Sequence, residues 1–304
     1  MPAWNDILYE LEAKDNDGRP LTNPDALRQK YLNIFHKVTG RNVIAYYSGF
    51  LTSVSERSNI DDNDMNGFMN AVHDLDKSKG LDLILHTPGG TISSACAIVT
   101  YLKSVFKNDV RCFVPQIAMS AGTMIACSCK EIFMGNHSSI GPIDPQFGSM
   151  STGDVIEEAK NAKDEMSKDM GTVPYWTALL AKYPPAFIGK CRKAAIFAAE
   201  NVEQWLIENM FVNDSDGLSQ AKYIVSVLSD HSLTKQHDKH IAIAEARKIG
   251  LKVCDLESNR ELQDALLSVH HAYMLTFSNY SNVAKIIENY RGKTMVIRHA
   301  MKVS

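Results

Sequence analysis

Residues 81–90 have the sequence LDLILHTPGG, and residues 110–122 have the sequence VRCFVPQIAMSAG. Each stretch begins with a short, mostly apolar run that suits a buried strand, and each ends at a turn marked by glycine. Helical spacing of apolar residues follows the turns, over 91–106 and over 121–129. We therefore expect two consecutive strand–turn–helix units that belong to a parallel α/β core.

The first of these turns predicts a backbone that binds anions. Gly89 and Gly90 allow positive φ angles and a close approach of the main chain to a ligand, because neither residue has a Cβ atom. The N-terminus of the following helix offers unpaired N–H groups to a developing negative charge. A glycine pair after a strand is also common in plain tight turns, so its functional meaning depends on the second turn.

The second turn places Ser120 at the start of a helix. A serine in that place is commonly an N-cap, but a sharp turn from strand to helix also exposes a nucleophilic hydroxyl. Its occurrence in the unit that follows the glycine pair favours acyl transfer, in which N–H donors beside the nucleophile hold an oxyanion. We therefore expect Ser120 to be a nucleophile that lies beside an oxyanion hole.

The motifs at 85–90, 119–123 and 139–146 resemble the Clp-fold serine proteinases that are known as serine dehydrogenase proteinases. These enzymes are related to signal peptide peptidase A and to the proteolytic subunit of the Clp protease. The similarity is identified over 42–148 and, in shorter segments, through most of the remaining chain. The chain is therefore similar to this family over most of its length.

The resemblance implies an α/β fold with a Clp/crotonase-like core of stacked strand–turn–helix units and with additional N- and C-terminal helices. Together with the geometry of the turns, it assigns the oxyanion hole to the backbone N–H groups of Gly89, Gly90 and Ala121, beside Ser120. The segment 140–146 contains two prolines and a glycine. We expect this rigid segment to shape the groove for an extended peptide.

The composition is that of an ordinary globular protein, with 304 residues of which 45% are hydrophobic. A formal net charge of −3 and scattered basic residues give no general attraction to nucleic acid, so we expect no nucleic-acid partner. The six cysteines have neither the paired spacing of a zinc site nor the density of a disulfide scaffold. We therefore expect reduced, mostly buried thiols and no metal site.

The sequence starts without the basic and apolar regions of a signal peptide, and no apolar run approaches the ~20 residues that a membrane span requires. The longest candidate, 117–129, is too short and contains the serine. We therefore expect a cytoplasmic protein without a transmembrane segment, which acts on soluble or peripheral substrates. Association with a membrane surface stays open.

The distribution of helical and strand patterns predicts three regions. Residues 1–40 form an N-terminal helical arm. Residues 41–255 form the Clp/crotonase-like catalytic domain, with a helical insertion at about 154–230 and a return to the core near 241–253. Residues 256–304 form a C-terminal helical segment.

A serine hydroxyl is a poor nucleophile until a neighbouring base takes its proton. The resemblance to the Clp proteolytic subunit places a histidine base where this chain has Gly141 or Pro142, and His137 lies too early. Asp238 aligns with the aspartate of that subunit, but an aspartate without its imidazole orients nothing. The sequence therefore departs from the Clp triad.

His237 and His240 are alternative sources of an imidazole, and as a His-x-x-His pair they are also an alternative metal-binding pair. No third ligand is evident in the sequence. Solvated helix or loop residues are the simpler interpretation of this pair.

The signal peptide peptidase branch uses a Ser–Lys dyad, whose lysine comes from the segment after the core. Lys160, Lys163 and Lys168 lie on a predicted helix over 154–170. A lysine acts as a base at neutral pH only when burial, away from carboxylates, lowers its pKa. Spacing within the family favours Lys160, whereas the helical wheel puts Lys163 closer to the apolar face. We predict Lys160 as the base with Lys163 as the alternative, although surface pairing with a carboxylate explains either lysine equally well.

Taken together, these features predict a serine endopeptidase that cleaves peptide bonds in a peptide or protein substrate through a Ser–Lys dyad and a backbone oxyanion hole. We expect no cofactor, because nothing in the sequence has the lysine and phosphate-binding loop that the pyridoxal phosphate of a serine dehydrogenase would need. The resemblance also implies a homo-oligomer that assembles through helices flanking the core.

Two alternatives stay open. A crotonase-like acyl-CoA enzyme uses the same paired N–H groups to hold a thioester enolate, but it has no need of a serine at the turn. A catalytically degenerate Clp-fold protein kept for binding or assembly is the second alternative. The presence of Ser120 favours the peptidase over the acyl-CoA enzyme.

Overall fold

The computed structural model describes residues 4–53, 55–148, 150–229 and 239–299. The α-helices of this part of the chain are α1 (Trp4–Glu12), α2 (Pro24–Thr39), α3 (Asp64–Val72), α4 (Ile92–Phe106), α5 (Ala121–Cys127), α6 (Thr152–Lys168), α7 (Val173–Leu180), α8 (Phe187–Trp205), α9 (Gly217–Ser229), α10 (Ile243–Ile249) and α11 (Arg260–Asn279). A π-helical segment, Leu206–Met210, extends α8.

The strands are β1 (Asn42–Ser48), β2 (Leu81–His86), β3 (Val110–Val114), β4 (Ile117–Ala118), β5 (Glu131–Met134), β6 (Ser139–Ile140), β7 (Gln146–Phe147), β8 (Met150–Ser151), β9 (Ile241–Ala242), β10 (Val253–Asp255), β11 (Val283–Asn289) and β12 (Thr294–Arg298). Seven of them form the central sheet in the order β10-β5-β3-β2-β1-β11-β12. The first five of these run parallel, and β11 and β12 are antiparallel to their neighbours. The predicted α/β fold class with its largely parallel sheet is confirmed.

Strands β1 and β2 are buried along their whole length, because helices cover both faces of the sheet. Leu83 and Leu85 point to the face that α3, α4 and α5 cover, whereas Ile84 points to the face that α2 and α11 cover. The two clusters together form the hydrophobic core. Their main consequence for function is that the ends of β2 and β3 are held rigidly.

A second, three-stranded sheet in the order β4-β6-β9 lies next to the end of β3. Strand β4 is parallel to β6, and β9 pairs with β6 in the antiparallel sense. Strands β7 and β8 form a hairpin that leads into α6. Strand β4 of this small sheet leads into the turn at Ser120. After β9, helix α10 and strand β10 bring the chain back to the central sheet.

The C-terminal segment differs from the helical one expected from the sequence. It contains α11, but β11 and β12 follow and extend the central sheet beyond β1. Every residue of β11 is buried, and a turn at Gly292 with φ +88° connects the two strands. The strand arises because the apolar residues of 283–287 are covered by α3 on one face and by α11 on the other. The division of the chain into three regions stays a prediction.

Within the described part of the chain, no helix combines the length and the apolar character that crossing a membrane would need.

Candidate active site

Two turns meet at the end of β2. The Thr87 N–H donates a hydrogen bond to the Ile117 carbonyl over 3.0 Å, and the Met119 N–H donates to the Thr87 carbonyl over 3.1 Å. These bonds place the start of the glycine turn beside β4, which leads directly into Ser120. The fold thus brings together two segments that are separated by about one βα unit of sequence.

Gly89 and Gly90 lie where any side chain would collide with the main chain. A Cβ atom on Gly89, at φ +103°, would lie 2.7 Å from the Met119 carbonyl oxygen and 2.9 Å from the Ser120 Cβ. A Cβ atom on Gly90, at φ +158°, would lie 2.3 Å from both the nitrogen and the oxygen of Ile60. The glycine pair is therefore required by close packing of three backbone segments.

Ser120 has φ +51° and ψ −114°, a conformation that costs a residue with a side chain of order 1–3 kcal/mol. It is half-buried and directly precedes α5, and its hydroxyl makes no hydrogen bond with another described residue. The Gly122 N–H closes the turn by donating to the Met119 carbonyl over 2.7 Å. A strained serine between a strand and a helix is the arrangement that presents a nucleophilic hydroxyl.

The backbone donors around Ser120 fall into two groups. The Gly89 N–H donates to the Thr87 hydroxyl over 3.1 Å, so it is already used within the turn. The N–H groups of Gly90 and Ala121 donate to no other described residue. Two free donors, one from each turn, therefore flank the serine, which is the composition of an oxyanion hole.

An open cleft of about 710 Å³ lies in front of these donors. Ser120 and the glycine turn line this cleft. Ile92, at the start of α4, and Phe197, on α8, line it as well. The segment 140–146, expected to shape the groove, contributes Ile143, Pro145 and Gln146 to the cleft wall. The cleft therefore combines an apolar wall with the polar atoms that acyl transfer requires.

A family model described as ClpP-like SDH-type serine proteinase matches residues 54–274, which is more than half of the chain. The chain belongs to this family. The expectation drawn from the motifs around Gly89 and Ser120 is confirmed. Both turns of the candidate site lie inside the matched range.

Two curated relatives of the chain come from Methanocaldococcus jannaschii. The uncharacterized protein MJ0137 is 30% identical over 190 residues, which are 62% of this chain and 59% of the relative. The uncharacterized protein MJ1495 is 28% identical over 173 residues, which are 57% of this chain and 51% of the relative. The aligned part of the chain thus spans little more than half the length of the curated relatives it matches.

The lysines that were predicted as bases lie on α6 and are exposed to solvent. Lys160 lines a neighbouring cavity of about 430 Å³, which shares Pro145 with the serine cleft but does not include Ser120. Lys163 and Lys168 line neither cavity. The structure brings the serine and the glycine turn together, while the pairing of Ser120 with Lys160 stays a prediction.

A different lysine approaches the cleft from α8. The Lys190 Nζ lies 4.6 Å from the centre of the Phe147 ring, and Phe147 lines the serine cleft. Ala194 and Phe197 follow Lys190 at helical spacing and also line the cleft. The spacing of 190, 194 and 197 is the sequence signal that would have identified this helix face, but the place of Ala194 and Phe197 in the cleft depends on tertiary packing.

Gly141, at the place where a Clp-type histidine would be expected, packs closely against Met119. A Cβ atom on Gly141 would lie 2.6 Å from the terminal methyl of the Met119 side chain, so a larger residue there would require that side chain to move. His137 is exposed, and its Nδ1 lies 3.9 Å from Oε1 of Glu257. The exposed His240 has its Nδ1 2.6 Å from the hydroxyl of Ser139.

His237 and Asp238 lie outside the described residues.

Proposed function

We propose that this SDH-type proteinase is a serine endopeptidase, with Ser120 as its nucleophile and the N–H groups of Gly90 and Ala121 as its oxyanion hole. The observation that carries the proposal is the strained Ser120 at φ +51°, flanked by two backbone donors that have no other described acceptor. The Gly89 N–H takes a supporting role, because it holds the Thr87 hydroxyl within the turn.

The proposed reaction follows from these positions. The Ser120 oxygen attacks the carbonyl carbon of the scissile bond while a base takes its proton, and the resulting oxyanion accepts hydrogen bonds from Gly90 and Ala121. The bond from carbon to nitrogen then breaks, the leaving amine takes the proton, and water hydrolyses the acyl-enzyme. The enzyme needs no metal or organic cofactor for any of these steps.

The walls of the cleft favour peptide substrates with an apolar side chain near the scissile bond. Ile92, Ile143, Phe147 and Phe197 supply apolar surface around the serine. Burying one apolar side chain of a substrate there contributes about 1.5–3 kcal/mol when it is fully covered. Gln146 is exposed at the rim and belongs to a short hairpin strand, along which an extended peptide gains main-chain hydrogen bonds.

A crotonase-like acyl-CoA enzyme is disfavoured by the cost of the serine turn. Holding a thioester enolate requires the two N–H donors but not a side chain at residue 120, so a glycine would relieve the strain without loss. The chain instead keeps Ser120 at φ +51°. A catalytically degenerate binding protein is the alternative that only an activity measurement separates from the peptidase.

We propose a lysine as the base, with Lys160 as the first candidate and Lys163 as its alternative. Lys190 is a third candidate, supported by its contact with Phe147 in the wall of the cleft. All three are exposed in the single chain. A lysine must be desolvated to act as a base at neutral pH, so a bound substrate or a second subunit would have to cover it.

Homo-oligomer formation is part of the proposal. Ile196 and Phe197 on α8 are about half exposed, at 56% and 47%, and Tyr223 on α9 is 58% exposed. Exposed apolar side chains on two neighbouring helices are typical of a subunit interface. Light scattering on the purified protein measures its mass directly.

The test of the peptidase is reaction with a fluorophosphonate probe followed by peptide mapping. We expect one adduct, on the Ser120 oxygen, and its loss in Ser120→Ala while the circular dichroism spectrum is unchanged. Ser128→Ala, which changes a buried serine at the other end of α5, is the matched control and should keep full labelling. An adduct on another residue, or equal peptide cleavage by Ser120→Ala, would exclude the proposed nucleophile.

A further inference from the structure

A buried group of charges lies beside the glycine turn. Lys285 on β11 is fully buried, and its Nζ lies 2.6 Å from Asp64 and 3.1 Å from Asp61. The same ammonium donates a hydrogen bond to the Asn59 carbonyl over 2.7 Å. The Tyr46 hydroxyl donates to the second oxygen of Asp64 over 2.8 Å. The Lys285 ammonium thus binds three groups in the segment that runs from Asn59 to the start of α3 at Asp64.

These contacts hold the chain on both sides of Ile60. Asn59 is bound through its carbonyl and Asp61 through its carboxylate, and both bonds go to Lys285. The Asp61 N–H in turn donates to Asp64 over 3.0 Å. Ile60 therefore has little freedom to move relative to β11.

Ile60 in turn holds the glycine turn. Its N–H donates to the Gly89 carbonyl over 2.7 Å, and its carbonyl accepts from the Thr91 N–H over 3.0 Å. Ile60 and Gly90 thus form a parallel β-bridge. Its two hydrogen bonds go to the carbonyl of Gly89 and the N–H of Thr91, the residues on either side of Gly90. The N–H of Gly90 is thereby left without an acceptor among the described residues, on the side of the cleft.

We infer that Lys285 is a positioning residue for the oxyanion hole, which it sets through Ile60 and Gly90. The inference rests on the proposed function of Ser120. A buried ion pair is weak support for stability, because burying the charges offsets most of their attraction. A charge network that fixes one loop is better explained by the geometry it sets than by the stability it adds.

A second buried ion pair on the same strand supplies a matched control. Glu288 lies three residues after Lys285, on the opposite face of β11, and pairs with Arg28 of α2 over 2.6 Å. Both partners are almost completely buried, as Lys285 and Asp64 are. The pair of Arg28 and Glu288 makes no contact with the Ile60 loop. Breaking either pair leaves one buried carboxylate without its cation.

The experiment compares Lys285→Met with Arg28→Met in two measurements. Hydrogen–deuterium exchange reports on the amides of Ile60 and Thr91, which we expect to exchange at least about tenfold faster in Lys285→Met only. The maximal rate of fluorophosphonate labelling should fall about 10- to 10²-fold in Lys285→Met, approaching the effect of losing one oxyanion donor. The probe concentration that gives half of the maximal rate should stay within about twofold of the wild-type value, because the variant does not change how the leaving group of the probe binds.

A second variant keeps the test valid if Lys285→Met fails to fold. Asp61→Asn weakens the 3.1 Å contact between the Lys285 ammonium and a partly exposed carboxylate. The variant should therefore fold and show faster exchange and slower labelling, each smaller than in Lys285→Met. Arg28→Met should label within about twofold of wild type.

Three results would overturn the inference. Unchanged exchange at Ile60 and Thr91 in the loop variants would show that Lys285 does not hold the turn. Faster exchange with an unchanged maximal labelling rate, or an equal loss of rate in Arg28→Met, would show that the network has no specific part in catalysis. If the wild type is not labelled at Ser120 at all, the proposed function fails, and the exchange measurement alone decides whether Lys285 positions the turn.

Discussion

The turn at Ser120 and the helices that carry the candidate bases differ in how tightly the fold holds them. The serine turn is hydrogen-bonded to the glycine turn through Thr87, and each turn is partly buried. Lys160 and Lys190 lie on exposed helix faces, and neither is hydrogen-bonded to Ser120. Under the proposed function, the chain itself preorganises the electrostatic part of the site, whereas the proton-transfer part depends on something that covers the cleft.

The largest expected effect separates the candidate bases. Lys160→Met should lower kcat/KM for peptide cleavage by about 10²–10⁴, because a positioned general base contributes about that factor. Lys163→Met, one helical turn along the same exposed face of α6, is the control and should stay within about twofold. Full activity of Lys160→Met with an inactive Lys190→Met would move the base to α8. If all three variants remain active while His137→Ala or His240→Ala is inactive, the dyad is wrong and a histidine serves Ser120.

A smaller effect is expected from the oxyanion hole. Gly90→Ala places a Cβ atom 2.3 Å from the backbone of Ile60, so the turn must shift and one donor is misplaced. We expect the labelling rate to fall by about 10²–10³. Gly18→Ala is the matched control, since Gly18 also has a positive φ, +77°, but has no atom within 4 Å of the added Cβ.

Gly18→Ala should lose some stability and no activity. An equal loss of activity in both variants would show that backbone strain, and not the approach to Ile60, explains the effect of Gly90→Ala.

The smallest effect concerns the stability of the end of β2. His86 is fully buried, and burial lowers its pKa to about 3 from an ordinary value of 6.5. The folded protein keeps this imidazole neutral, while the unfolded chain takes up a proton below 6.5. The free energy of unfolding should therefore fall as the pH drops from 6.5 towards 3, by up to about 1.4 kcal/mol per pH unit from this group.

Urea unfolding at several pH values measures this slope. His86→Phe, which fills the same space among aromatic rings, should reduce the slope. An unchanged slope in His86→Phe would assign the acid sensitivity to other groups. His270 is the first of these, because burial lowers its pKa as well.

The parts of the site that could be predicted are those set by neighbours in sequence. The glycine pair at 89–90 and Ser120 each follow a strand and precede a helix, so local patterns were enough to place them at the same edge of a parallel sheet. The family resemblance and the α/β fold class are confirmed for the same reason. The histidine of the Clp triad has no counterpart in this chain, where Gly141 packs against the Met119 side chain.

The parts that could not be predicted depend on contacts between distant segments. Strands β11 and β12 were expected to be helical, and their pairing with β1 joins residues more than two hundred positions apart. Lys285 belongs to this strand, so its contact with Asn59 and Asp64 had no local signal. The approach of Lys190 to Phe147 is of the same kind.

The amino-acid sequence by itself determined the two strand–turn–helix units, the family and the candidate nucleophile, because hydrophobic periodicity and glycine turns act over a few residues. Only the tertiary structure decided which N–H groups are free, which loop supports Gly90 and which lysines stand near the cleft. Those properties depend on burial and on hydrogen bonds between segments far apart in the chain. A buried ammonium such as that of Lys285 acquires its partners only when β11 enters the sheet.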